Sequence, residues 1–415
     1  MAHRRIPLSL TLGLCLLAGA AFAADWPQFR GPNRDGVSRE TGLLKSWPAG
    51  GPKVLWKAPA GDGFSHVVVA GGRVFTLYGQ GSQEVAVALD AASGKQVWKT
   101  AIDSKYTSDM GNGPRSTPTV DAGTVYALSA NGKLVALSAA NGKKVWEHDL
   151  QDGFGAKIPG WGASTSPLVE GNLLLVDVGG SGGKSLVAFD KKTGKTVWTS
   201  QSDKAGYSAP IAITVGGVRQ VIFFTGTSVV SVAPATGKLF WRVPWRTDWD
   251  VNAAAPIFVA PDKLFISSGY GVGAALFRLK AGGAPEEVWK SRGMKNQFSS
   301  SVLHNGTIYG FDDTTLKAID AATGKDLWRQ RGLGHGSLIL ADGHLAVLSE
   351  RGKLVLVEAT PAAYKEKGSV EILSGKCWTA PTLANGKLYV RNEEELKVLD
   401  WTGKPAVPPP GKVGG

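Results

Sequence analysis

The chain has 415 residues, among them 55 glycines, 14 tryptophans and only 2 cysteines, with a formal net charge of +12. So much glycine without helical periodicity excludes a helical bundle, and a length this great is natural for one ring of small sheets. The basic residues are spread over turns such as Lys143-Lys144 and Lys191-Lys192 instead of forming a stripe, which argues against nucleic acid as a partner.

In chain order, the first segment is a targeting signal. Arg4-Arg5 precede an apolar run from Leu8 to Ala20, and Ala21-Phe22-Ala23 is a small-x-small cleavage site. Residues 1–23 are therefore expected to be removed, so that the mature chain starts near Ala24 in the periplasm or outside the cell. Cys15 lies inside the apolar run behind Leu14, a poor context for lipidation. No other segment is long and apolar enough to span a membrane. Without Cys15, Cys377 stands alone; no disulfide can form within the mature chain, and a buried free thiol is expected.

Residues 24–52 form an extended lead, Asp25-Trp26-Pro27-Gln28-Phe29-Arg30-Gly31-Pro32-Asn33-Arg34-Asp35-Gly36 at its start. Its aromatic anchors Trp26 and Phe29 are expected to hold it across one face of the fold. Asn33-Arg34-Asp35-Gly36 looks like the middle of a calcium loop, but Gly31 and Gly42 stand where the first and last carboxylates belong.

From residue 53 a phrase repeats. Ala88-Leu89-Asp90 leads through Gly94-Lys95 to Trp98, and the pattern returns to end at Trp146, Trp198, Trp241 and Trp328, with a looser copy at Trp289. Successive tryptophans are 48, 52, 43, 48 and 39 residues apart, the length of one four-stranded propeller blade. The aspartate can start a turn, the glycine takes its φ > 0 position, and the indole begins the outer strand aimed at a neighbouring blade. Each buried indole is worth roughly 2–3 kcal/mol. Out of phase with this run eight hairpin signals, among them Gly71-Gly72, Gly171-Asn172, Asn305-Gly306, Asp342-Gly343 and Asn385-Gly386. The fold class is therefore all-β: an eight-bladed β-propeller of four-stranded antiparallel sheets over residues 53–402, followed by a Pro/Gly-rich tail, 403–415. The eighth blade supplies three strands, and Lys53–Ala58 with Trp56 is expected to complete it and close the ring. The seventh blade has an outer strand, Ser369–Leu373, without a tryptophan, which predicts a weaker joint there.

Loops entering the innermost strands of a propeller face the channel mouth. Three residues ahead of each strand stand Phe64, Arg115, Ser164, Tyr207, Ala253, Phe298, Gly334 and Trp378; His335 follows in the seventh blade. This aromatic row, with the extra tryptophans Trp161, Trp245 and Trp249, gives a candidate ligand or partner face: Arg115, Trp161, Tyr207, Trp249, Phe298, His335 and Trp378. The sequence holds no zinc motif, cysteine pair or nucleophile elbow.

The Ala-x-Asp-x-x-Thr-Gly-Lys-x-x-Trp phrase resembles the tryptophan-docking repeat of pyrroloquinoline-quinone-type β-propellers, over roughly residues 54–400, and the lead resembles the opening of exported bacterial members. The resemblance implies one of two functions. A non-catalytic scaffold would be similar to the B lipoprotein of the outer-membrane barrel-assembly machinery, a periplasmic propeller that docks protein partners on one face. A quinoprotein dehydrogenase would use the quinone with calcium to oxidise alcohols or sugars, but the adjacent cysteines and long pocket loops of those enzymes are missing; Arg115, Asp248 and Asp250 are the residues to watch in that case. A carbohydrate could instead stack on Trp161, Trp249 and Trp378. The reading taken forward is a monomeric scaffold in the cell envelope that binds a protein partner or small ligand and carries no cofactor.

Overall fold

A computed structural model describes residues 24–403; the expected signal peptide and nearly all of the tail lie outside them. Eight antiparallel sheets succeed one another along the chain. The first blade is typical: a short inner strand, Val68–Ala70, then Arg73–Gln80, Gln83–Asp90 and the outer strand Gln96–Ser104. The ring closes as expected. Val54–Pro59 pairs antiparallel with Glu395–Asp400 and becomes the outer strand of the eighth blade, whose other strands are Lys387–Arg391 and Thr382–Ala384. The only helical segments among the described residues are Leu150–Phe154 and a 3-10 turn, Asp248–Asp250.

The middle strands of each blade are buried on both faces, and the apolar side chains collect into cores that lie between blades. Val68, Leu77, Trp98 and Val135 pack the first blade onto the second, and Phe265, Met294 and Ile308 the fifth onto the sixth. One larger core joins the seventh, eighth and first blades and takes in Trp26, Leu43 and Trp47 of the lead.

The repeat phrase explains the joints. Asp90 Oδ1 accepts from Ser93 N at 2.8 Å and Ser93 Oγ at 2.6 Å, and Asp190 and Asp320 do the same with Thr193 and Thr323. The glycine that follows has φ between +69° and +74° and lies under the indole of the preceding blade. A Cβ on Gly94 would meet Trp56 at 2.5 Å, and one on Gly237 would meet Trp198 at 2.5 Å. Each indole also donates into the next blade's turn: Trp56 to Ala91 O (3.2 Å), Trp98 to Ala139 O (2.9 Å), Trp146 to Lys191 O (3.1 Å), Trp198 to Pro234 O (2.8 Å), Trp289 to Ala321 O (3.1 Å) and Trp328 to Thr360 O (2.8 Å).

Two joints depart from this rule. Trp241 donates to Gln220 Oε1 in its own sheet at 3.1 Å, and the buried Trp245 reaches Ser268 Oγ of the fifth blade, also at 3.1 Å. At the seventh joint, where no indole extends the outer strand, the lead supplies one. Trp47 packs edge-on to the fully buried Trp401 with centroids 5.9 Å apart, Trp47 N donates to Lys367 O, and Trp401 Nε1 donates to Leu44 O at 3.0 Å. This joint is filled from elsewhere in the chain, although the Trp47 indole N–H itself finds no partner among the described residues.

The lead does not lie across a face, as its two aromatic anchors suggested; it enters the central channel. Trp26 pairs antiparallel with Val69 of the first blade, and Pro27 O accepts from Val120 N of the second. The chain turns at residues 28–35 and returns with Val37–Ser38 parallel to Ser337–Ala341, the inner strand of the seventh blade. Inner strands have one unpaired edge facing the axis, and this hairpin satisfies part of it. Arg30 and Arg34, 4% and 3% exposed, brace its tip. Arg30 donates to Ser300 O (3.1 Å), Ser301 O and Asp35 O (2.7 Å), while Arg34 donates to Ser166 O (2.8 Å) and Pro167 O (2.9 Å). The two guanidinium forks thus tie the sixth blade and the third to one plug. The plug enters and leaves on the face of the Asp-x-x-Thr-Gly-Lys turns, where Asp25 Oδ2 accepts from Gly71 N and Glu40 accepts from Asn385 N. The other mouth of the channel stays open above it.

Candidate functional site

At that mouth lies a cavity of about 580 Å³. The seven residues singled out from the sequence, Arg115, Trp161, Tyr207, Trp249, Phe298, His335 and Trp378, all line it. The register that found them is the common geometry of loops entering inner strands. Phe64, Ser164 and Ala253 of the same row line the cavity too; Gly334 does not, and His335 takes its place. The row alignment missed Phe29, which comes from the plug, and Tyr270 and Glu350, which sit in second hairpins of their blades. Those hairpins open on the same face as the entering loops, so strand alternation alone would have added Tyr270 and Glu350. Nothing local to Phe29 signals that it rises through the ring.

The aromatic side chains form two walls. On one, Phe64, Trp378, Phe298 and His335 follow one another with centroid separations of 5.3, 4.8 and 5.7 Å. On the other, Trp161 lies 6.0 Å from Tyr207 and stacks on Tyr270 at 6.5 Å with 16° between planes. Trp249 stands at the rim, 77% exposed, with its backbone in the left-handed region at φ 64°. A bulky residue held there is strained, and Asp250 beside it is tied to Lys204 at 2.8 Å. Of the three extra tryptophans, then, Trp161 and Trp249 face the cavity and Trp245 is packing.

The charged groups in the walls are committed to the protein itself. Arg115 Nε donates to Trp161 O at 2.6 Å, its Nη atoms donate to Gly113 O and Gly111 O, and its guanidinium lies 4.6 Å from the Tyr106 ring. Burial lowers its pKa, against the pull of Tyr106 and Glu84. Glu350 accepts from Trp378 Nε1 (3.1 Å) and His335 N (3.2 Å). Burial works against its charge, but these bonds outweigh burial and hold its pKa below the usual carboxylate range. His335 Nε2 meets Asp313 Oδ1 at 2.9 Å. Burial pushes the Tyr207 phenol up to about 12, and its oxygen accepts from Trp161 N at 3.3 Å.

The floor is Phe29 against His66, with centroids 5.0 Å apart. Burial, then Arg30 and Arg391, bring His66 down to about 3. Between that value and the unfolded imidazole near 6.5 the unfolded chain binds the extra proton, so stability falls as pH drops through this window, by at most about 1.4 kcal/mol per pH unit. Glu84, buried and raised to about 7 mainly by burial, acts in the opposite sense from about 4.5 to 7, where the native state holds the proton. The two slopes offset each other over most of that range. A Glu84→Gln chain is therefore expected to lose stability relative to the parent as pH falls from 6.5 to 4.5 in urea titrations; equal slopes in both would count against the assignment.

Cys377 is free and fully buried, its thiol pushed up to about 12. No group of three or more His, Cys, Asp or Glu among the described residues is arranged to hold a metal ion. The cavity lining includes one carboxylate, Glu350, already bonded to Trp378 Nε1 and His335 N, and Arg115 spends its guanidinium on carbonyls, so the lining does not fit the quinone–calcium pair of the dehydrogenases.

Fold and site together define a tryptophan-docked eight-bladed propeller with a plugged channel and an aromatic mouth. The chain belongs to the family described as outer membrane protein assembly factor BamB, which it matches over residues 41–156, 82–328 and 312–404. It is 25% identical over 374 residues to the outer membrane protein assembly factor BamB of Yersinia pestis, covering 82% of this chain and 86% of that one. To the BamB of Burkholderia pseudomallei (strain K96243) it is 27% identical over 296 residues, 66% and 68% of the two chains. Among solved structures, BamB from Moraxella catarrhalis superposes with a TM-score of 0.60 at 15% identity, over 85% of this chain and all of that one. The quinohemoprotein alcohol dehydrogenase from Comamonas testosteroni gives 0.61 at 15% identity, over 95% and 83%. These two likenesses concern the fold alone.

Proposed function

We propose that this chain is an exported, non-catalytic docking scaffold of the cell envelope, and that it holds a partner on the channel-mouth face as part of outer membrane protein assembly. The family match supports the pathway, and the sequence of residues 1–23 supports export. The observation that carries the choice of face is the convergence of aromatic side chains from six blades on one cavity, with a strained, exposed indole at its rim. Large aromatics at the centre of a concave surface are the usual anchors of a protein interface. Arg115 and Glu350, which elsewhere could take part in chemistry, hold the loops in place. Among the described residues no helix is long and apolar enough to cross a membrane.

The test is site-specific photo-crosslinking in the envelope. A photoreactive phenylalanine replaces Tyr270 at the mouth or Lys192 on the opposite face. A discrete adduct is expected from position 270 and none from 192. Adducts from 192 alone would overturn the choice of face.

A further inference from the structure

We infer that the mouth takes an uncharged aromatic side chain presented by an extended peptide segment, an inference that rests on the docking reading above. Arg115 donates to three carbonyls, Glu350 accepts from the His335 main-chain N–H and from Trp378 Nε1, and His335 Nε2 meets Asp313 Oδ1. A ligand that brought a charge would meet no free counter-charge on these groups and would lose its hydration against aromatic walls. Among the lining residues what remains uncommitted is neutral; the Lys376 ammonium, 4.3 Å from the Trp378 ring, stands outside the lining and donates to Met110 O. Gln297, the Trp161 indole N–H and the Tyr270 hydroxyl make no hydrogen bond within the described residues, and all three residues line the cavity. These groups, with the Trp249 indole N–H and the Tyr207 O–H, which also lack acceptors among the described residues, suit the donors and acceptors of a peptide backbone passing over the rim.

The apolar space below them fits the side chain. The wall of Phe64, Trp378 and Phe298 faces the wall of Trp161, Tyr207 and Tyr270 across a cavity of about 580 Å³, floored by Phe29. A ring entering between two aromatic walls meets offset and edge-on partners on both sides. A sugar would use the same faces, but its neighbouring hydroxyl pairs call for planar side chains with two free polar atoms. Gln297 is the single one left to serve them, which favours the peptide.

The experiment is calorimetric titration of the purified chain with acetylated, amidated hexapeptides that differ at one central position (Trp, Phe, Leu, Lys or Glu), with chitohexaose as the glycan arm. The Trp and Phe peptides are expected to bind at least roughly tenfold tighter than the others, with a negative heat-capacity change. Phe298→Ala should weaken them by roughly 30-fold, Phe298→Tyr should restore most of the loss, and Gln297→Ala should weaken all peptides alike. An unchanged urea midpoint shows that a variant is folded. Binding of chitohexaose in place of peptide, or no preference for the aromatic ones, overturns the inference. If position 270 still gives its crosslink in that event, the docking face stands and only the ligand class is wrong; if the crosslink is lost as well, both fall.

Discussion

Replacing Arg30 by alanine is expected to lower the stability of the ring by about 2–4 kcal/mol, and replacing Arg34 to do much the same. Both side chains are buried and spend their Nη donors on main-chain carbonyls at the entry to inner strands. Truncation leaves those carbonyls without these partners in a buried site, and charge-assisted bonds of this kind are worth about 1.5–3 kcal/mol each before the cost of burying the cation is set against them. Lysine is a poor substitute because a single ammonium cannot span the two carbonyls that each fork holds. Since both arginines belong to one hairpin, the double variant should lose clearly less than the two single losses combined: once the plug has left the axis, the second arginine has nothing to hold. Urea midpoints of the four chains decide this. An unchanged midpoint for either single variant would show that the plug is an ornament of the ring and not a brace.

The blades could be read from residues 53–402 because each is specified locally. A turn signal and an alternating run recur in every copy and an indole in all but the seventh, and the physics that joins one blade to the next is short in range, so a period in the chain becomes a period in space. The closing strand was legible for the same reason: Trp56 stands in the setting of the other docking tryptophans. The mouth could be read almost as well, since the loops that form it occupy one place in each repeat. The plug was not legible. Trp26 and Phe29 announce that the lead is anchored, but what places it on the axis is the geometry of the finished ring: carbonyls of Ser166, Pro167, Ser300 and Ser301 that meet across the channel only once all eight blades are assembled. Those residues are more than 130 positions from the arginines that bind them. Trp47 and Trp401 escaped for a related reason, because they restore a joint from outside the repeat's own register.

The glycine of the repeat phrase gives the second large effect. Gly94→Ala is expected to cost about 2–4 kcal/mol, and Gly123→Ala only about 1. The two positions share a backbone demand, with φ of +72° and +80°, so the strain of giving an L-residue a left-handed conformation is common to both. They differ in what the new methyl meets. At Gly123 nothing lies within 4 Å; at Gly94 the six-membered ring of Trp56 begins at 2.5 Å. The indole cannot retreat without breaking its bond to Ala91 O and opening the joint between the eighth and first blades, the one that closes the ring. The excess over Gly123→Ala therefore measures the docking contact itself. A double variant with Trp56→Ala should recover that excess, because the clash goes with the indole, whereas the φ strain stays; the coupling should be about 1–3 kcal/mol and opposite in sign to additive loss. Equal midpoints for Gly94→Ala and Gly123→Ala would mean that the glycine is kept for its turn alone and that the indole is free to move, and the locking of blade to blade would then have to rest on the cores between the sheets.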